Sequence, residues 1–214
     1  MSRDGGRKRD ERVKNLAGRD EMTRLADFVF EVGMLRRTPR TGYQFLGTGS
    51  ENVAEHSFRT TVIGWMLARM AGADESRTAM LCLFHDLAEA RTGDFNYVNK
   101  MYDSARAGEA MAHAVAGTGL EEAVLPLWAE LEAQDTPEAL LAQDADQLDF
   151  VANLKEQLDL GNRYAEDWMT AARGRLRTQE GRRLFDAIVS TDHKDWWFNG
   201  PDRDWWESKN GRKE

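Results

Sequence analysis

The stretch Arg77–Asp94 reads RTAMLCLFHDLAEARTGD. Ala79, Leu83, Leu87 and Ala90 recur at three- and four-residue steps, and Met80, Phe84 and Ala88 widen the stripe. That period is the mark of an amphipathic α-helix, not of a strand, whose side chains alternate every two residues. The helix is predicted to start near Asp74 or Glu75 and to end at Gly93. Its apolar run is interrupted by His85, Asp86 and Glu89, three groups able to bind a metal or move a proton.

Working outward, the same period dominates the chain. Upstream, Leu25, Phe28, Val29, Val32 and Leu35 form one stripe from about Asp20, with Gly33 marking fraying near its end. Val53, Phe58, Val62, Met66 and Met70 form another, from Ser50–Asn52 to Ala71, closed by Gly72-Ala73-Asp74. Between them, Arg36–Asn52 contains Pro39, Gly42, Gly47 and Gly49 and reads as a long loop, a length often reserved for function. Downstream, GDFNYVNK reads as a loop, followed by helices over about 101–117, 121–134 and 137–160. Thr136-Pro137 opens the last of these and Gly161 closes it. The region 167–191 is again helix-compatible. No strand-like alternation and no repeat with a period of 20–50 residues appears. The predicted fold is all-α, an irregular helical bundle over residues 20–191. Residues 1–19 are expected to form a flexible tail, and 192–214 a Trp-rich extension with two DWW units. Those tryptophans are expected to cover the bundle or a partner subunit, or else to form a lid.

Composition narrows the function classes. The 214 residues are 41% hydrophobic and 31% charged, the balance of a globular protein. No run of roughly 18 apolar residues exists to span a membrane. The charged N-terminus lacks the apolar segment of a secretory signal. The single cysteine, Cys82, excludes an internal disulfide and suits a cytoplasmic location. A net charge of -8 argues against stable nucleic-acid binding, yet leaves room for a small phosphate-bearing ligand gripped by one or two arginines.

Four histidines are present: His56, His85, His113 and His193. Glu55-His56 and His85-Asp86 pair an imidazole with a carboxylate in helical context, the donor types a divalent metal requires. On a regular helix, His85 and Asp86 diverge by about 100°, so both reach one ion only across a cleft that their helix straddles. A mixed nitrogen and oxygen set suits octahedral Mn, Co, Fe or Ni better than a closed structural zinc site. An isolated His-Asp pair is more often a surface or helix-stabilising contact, and His113 and His193 are assigned that role.

Three blocks in order, ENVAEHSFRTTVIGWMLA (51–68), CLFHDLAEARTGD (82–94) and QDADQLDFVANLKE (143–156), resemble the HD superfamily of phosphohydrolases. The resemblance is nearest to the 5′-deoxynucleotidases and covers about two-thirds of the chain. It implies that His56, His85, Asp86 and Asp146 ligate one divalent metal (Mn, Co, Fe or Ni, or Mg). Asp146 fits the family's A-D-x-L, with Asp144 and Asp149 as competitors. It further implies that Glu89 handles the proton of the water or leaving group, and that Asp94 contacts the sugar or the attacking water. Arg40 is the first candidate to bind phosphate, ahead of Arg37 and Arg36, with Lys100 as a further contact.

Two departures bear on the substrate. The family's Arg-Trp pair is replaced by Arg40-Thr41-Gly42-Tyr43, so Tyr43 takes the place of the tryptophan as a packing surface. FNYVNK also stands where the deoxynucleotidases carry a proline-rich turn. The expected function is hydrolysis of deoxynucleoside 5′-monophosphates by a homodimer. The alternatives are phosphodiester or nucleoside-triphosphate cleavage, or a non-catalytic metal-binding regulator.

Overall fold

The computed structural model describes residues 15–16, 18–200 and 203–207. Residues 1–14 and 17 of the expected tail, and 201–202 and 208–214 of the expected extension, lie outside the described residues. Among the described residues there is no strand, only one isolated bridge between Pro39 and Asn52.

The helices are α1 (Glu21–Val32), α2 (Tyr43–Leu46), α3 (Val53–Ala71), α4 (Glu75–Phe84), α5 (Glu89–Thr92) and α6 (Tyr97–Tyr102). They continue with α7 (Ala107–Val115), α8 (Glu121–Ala133), α9 (Pro137–Asp159), α10 (Ala165–Arg173), α11 (Gln179–Ser190) and α12 (Arg203–Glu207). The starts follow side-chain caps. Asp20, Asp74, Thr136 and Thr178 each accept a backbone N–H two or three positions into the helix. Asn52 and Glu55 form a reciprocal capping box at the head of α3. Each cap satisfies an otherwise orphaned donor and contributes about 1 kcal/mol.

The long helix α9 is the axis of the bundle, packing on α3, α4, α10 and α11. One apolar cluster joins Ile63 and Leu67 of α3, Leu81 and Cys82 of α4, and Leu148 and Val151 of α9. A second joins Phe28, Val53, Leu87, Met111 and Val115. The helices α3 and α4 approach closely because Gly64 has no side chain: a Cβ there would collide with Cys82 Sγ.

Several predicted details are corrected. On α3, Phe58, Val62, Met66 and Met70 face solvent, while Val53, His56, Thr60, Ile63, Gly64 and Leu67 are buried. On α4, Met80 and Leu83 are exposed and Leu81 and Cys82 take the core position. On α1, Phe28 is buried but Val29 and Val32 are not. Arg24 is buried instead, donating to the carbonyls of His113, Ala114 and Ala116 at the end of α7. The predicted single helix through Gly93 is broken after Phe84. The expected loops contain α2 and α6, the latter started by an Asn96–Asn99 capping box. The helix expected from 101 begins only at Ala107. Trp196, 84% exposed, does not cover the bundle.

Candidate metal centre and its cleft

The break after Phe84 builds the site. From Phe84 to Arg91 the backbone closes i→i−3 hydrogen bonds: Leu87 N–H to Phe84, Glu89 N–H to Asp86, Ala90 N–H to Leu87 and Arg91 N–H to Ala88. This tighter winding replaces the regular helix that would splay His85 and Asp86 apart. Both now face one point, with His85 Nε2 3.2 Å from Asp86 Oδ2. Leu87 and Ala88 are buried and anchor the turn from below.

His56 enters from α3. Its Nε2 lies 3.1 Å from His85 Nε2, 3.5 Å from Asp86 Oδ2 and 3.2 Å from Asp146 Oδ1, the last projecting from α9. The outward nitrogens are both engaged. His85 Nδ1 sits 2.7 Å from the carbonyl oxygen of Cys82, which can only accept, so this Nδ1 carries the proton. His56 Nδ1 sits 2.6 Å from Asp149 Oδ2 in the buried interior. With both Nδ1 atoms engaged, the two Nε2 atoms face one another, flanked by two carboxylates, an arrangement that suits positive charge between them. Metal–ligand bonds of about 2.0–2.2 Å place neighbouring donor atoms roughly 3.0–3.5 Å apart, the spacing seen here. The donor atoms of His56, His85 and Asp146 all lie within 4.8 Å of one another, which fits a divalent ion, and Asp86 stands beside the two imidazoles.

The electrostatics agree. Burial opposes charge on His56, but hydrogen bonds to Asp146 and Asp149 raise its pKa to about 10. Burial would likewise raise Asp86, yet His85, His56 and Arg40 bring it down to about 2. Asp146 is held well below the usual carboxylate range by His56, against its own burial. The pocket is thus built for positive charge.

Asp144 and Asp149, the competing carboxylates, have other work. Asp144 is fully buried and accepts from the backbone N–H groups of Arg177 and Thr178 and from Thr178 Oγ1, fixing the entry to α11. Asp149 is held by Arg59, which also pairs with Glu156 at 2.8 Å. Sequence reasoning missed the Arg59–Asp149–His56 relay. The 3.6-residue period supplies the signal: Asp149 is three residues from Asp146, on nearly the same helix face.

Arg40 lies at the centre of the cleft, 3.3 Å from Asp86 and 3.9–4.0 Å from Glu51, Asp94 and Asp146. The Pro39–Asn52 bridge and the Arg40 N–H bond to the Glu51 carbonyl place it there. Asp94 Oδ2 accepts from Thr41 N–H at 2.6 Å, tying the loop before α2 to the end of α5. Glu89 lines the cleft with Oε2 buried and unpartnered. Burial, with Asp86 and Asp94 adding repulsion, raises its pKa to about 9. Tyr43 lines the wall against Gly49, where a Cβ would strike the tyrosine ring and φ is 77°. Lys100, on α6, reaches the same cleft, whereas Arg36 and Arg37 do not line it. His113 is buried at the end of α7, and His193 makes a surface contact with Asp159.

In this all-helical bundle the buried His56 and the half-buried His85, Asp86 and Asp146 converge beside an arginine, the arrangement of a candidate divalent-cation site with an anion-accepting cleft. The HD-domain family model matches residues 32–185, and the chain belongs to that family. It is 31% identical over 145 residues to the 5′-deoxynucleotidase HDDC2 of Danio rerio, covering 65% of this chain and 72% of the relative. It is 33% identical to the dATP triphosphohydrolase of Cyanophage S-2L, over 69% of this chain and 78% of the relative. A predicted metal-dependent phosphohydrolase from Magnetospirillum magnetotacticum shares the fold, with a TM-score of 0.59 at 23% identity over 79% of this chain and 91% of that one.

Proposed function

We propose that this protein hydrolyses the 5′-phosphate of deoxynucleoside monophosphates at a centre where His56, His85, Asp86 and Asp146 hold one divalent ion. The observation that carries the reading is the pair of Nε2 atoms 3.1 Å apart, with both Nδ1 atoms committed outward. Mn, Co, Fe or Ni suits the mixed donors, and Mg is the further candidate. The chemistry such an ion supplies is Lewis-acid polarisation of a phosphoryl oxygen.

The remaining steps belong to the chain. Arg40, already facing the donor carboxylates, binds the phosphate by paired N–H donors, and Lys100 adds charge from the rim. Glu89 is kept in its protonated form by burial and by Asp86, so it can pass a proton to the departing 5′ oxygen. Asp94 orients the sugar or the attacking water with the oxygen not given to Thr41. Tyr43 packs against the sugar or base. The relative from Cyanophage S-2L favours triphosphate cleavage as the second reading.

A homodimer belongs to the same proposal: the exposed face of α3, with Phe58, Val62, Trp65 and Met66, can pair with its own copy across a two-fold axis. No helix among the described residues is long and apolar enough to cross a membrane. Cys82, buried with its thiol pushed up to about 12, suits the reducing cytoplasm.

The test is phosphate release from deoxy- and ribonucleoside monophosphates and deoxynucleoside triphosphates, after EDTA treatment and re-addition of Mn, Co or Mg. Metal-dependent release of inorganic phosphate from deoxy monophosphates is expected. Cleavage confined to triphosphates would replace this reading with the second.

A further inference from the structure

The end of the cleft beyond Asp146 has a composition that phosphate chemistry does not explain. Phe150 and Trp168 stand there with ring centroids 6.1 Å apart and planes tilted by 41°. Together with Tyr97 and Arg175 they line both the main cleft and an adjoining apolar recess, forming the wall between the two. Arg175 lies over the Tyr97 ring, 4.8 Å from its centroid, and donates from Nη1 to the Tyr97 hydroxyl and to Gln147 Oε1. Gln147 in turn donates to Asp146 Oδ2 at 2.9 Å.

Arg175 differs from Arg40 in its surroundings. Arg40 is ringed by carboxylates, whereas the hydrogen bonds of Arg175 go to a phenol and an amide, both neutral, and use only Nη1. Its Nε and Nη2 remain available to a ligand. Its position is also fixed. Leu176 beside it is buried, and the next two backbone N–H groups are bound by Asp144, on the same helix as Asp146 and Gln147. The result is a donor-only planar group held at the edge of an aromatic surface.

We infer that Arg175, Phe150 and Trp168 form a nucleobase subsite that favours bases with a keto edge, guanine or thymine, over the amino bases adenine and cytosine. This rests on the proposed nucleotide reading of the cleft. Stacking on aromatic rings accepts any base. A guanidinium offers donors only, so it pairs with the O6 and N7 acceptors of guanine and is mismatched with the N6 amino group of adenine.

The test is calorimetric binding of dGMP, dAMP and 2-deoxyribose 5-phosphate to the full chain in EDTA, where no turnover complicates the titration. The wild type is expected to bind dGMP roughly tenfold more tightly than dAMP, the scale of one well-placed charged hydrogen bond. Arg175→Ala, at an exposed position, is expected to bring that ratio close to one. Trp168→Ala is expected to weaken both nucleotides relative to the base-free sugar phosphate. Equal binding of dGMP and dAMP by the wild type, or an unchanged ratio in Arg175→Ala, overturns the subsite and leaves the nucleotidase reading intact. Binding of none of the three ligands also overturns the subsite, while the nucleotidase reading is decided separately by phosphate release with metal restored.

Discussion

Along α3, the face turned into the protein carries His56, Ser57 and Thr60 among Val53, Ile63 and Leu67, while the face turned to solvent carries Phe58, Val62, Trp65, Met66 and Met70. The inner face is the more polar of the two where it meets the site. Its polar groups are partnered: Ser57 Oγ donates to the Val53 carbonyl, and Thr60 Oγ1 lies 3.4 Å from His56 Nδ1. Buried polar groups cost free energy unless bonded, so their presence marks a place where chemistry, not packing, decides the residue. The outer face has apolar residues that packing within one chain does not use, and contiguous surfaces of that kind mark contacts with partners. One helix thus carries the proposed metal centre on one side and the proposed association surface on the other.

His56→Ala breaks this comparison most severely. It removes the only donor shared by the other three, and leaves Asp149 facing an empty space. Turnover is expected to fall by roughly a thousandfold or more, since several kcal/mol of transition-state stabilisation goes with the ion. Elemental analysis of the purified variant should show less than stoichiometric metal. Full metal content with near-normal turnover would sink the proposed donor set.

Asp149→Asn tests whether the inner face extends one layer deeper. The Asn carries no charge, so the His56 ring loses the carboxylate that fixes its tautomer and raises its basicity. Metal affinity is expected to drop by about 10–100-fold, with turnover restored at saturating metal. A drop in turnover that excess metal cannot repair would assign Asp149 a different role.

These contrasts also show what a sequence can display. The caps at Asp74, Asn52 and Thr136-Pro137 were legible because each acts on the N–H groups of its own first turn. The three motif blocks, the second with His85, Asp86, Glu89 and Asp94 at set spacing, pointed to the family, and the fold brings Asp86, Glu89 and Asp94 to one cleft with His85 beside Asp86. Other features depend on distant partners. Phe84–Ala88 contains no Gly or Pro, so nothing local announces the tightened winding that turns His85 and Asp86 to the same point. Arg24 looks like a surface charge until the α7 carbonyls, 90 residues away, accept its protons. On α3 the apolar period was real but pointed outward, because the inner positions had been given to the site. Arg175 had no motif at all; only the fold places it beside Gln147.

Glu89→Gln sharpens the same lesson with a pH dependence. The carboxyl pKa is raised in the fold to about 9 from the 4.5 of an exposed glutamate. Between those values the folded state holds more protons than the unfolded one, so stability falls as pH rises through this window. The metal-free wild type is expected to lose a few degrees of Tm between pH 6 and pH 9 from this group. Glu89→Gln, which cannot ionise, should flatten that slope while abolishing most turnover. Melting curves in EDTA that remain parallel for the two proteins would contradict the buried, repelled state of Glu89.

The smallest effect on folding is expected on the outer face. Phe58 is 73% exposed and Met66 39%, so replacing both with Ser removes little buried area. Surface changes of this kind usually alter stability by less than about 0.5 kcal/mol. If α3 pairs with its own copy, however, the two substitutions place hydroxyls in the centre of that contact. Sedimentation should then show a shift from dimer to monomer, while kcat on a deoxynucleoside monophosphate stays within about twofold, because His56 lies on the opposite side of the helix. Loss of kcat in step with dissociation would mean that the two faces are not independent, and that pairing of the outer face holds the inner one in its working geometry.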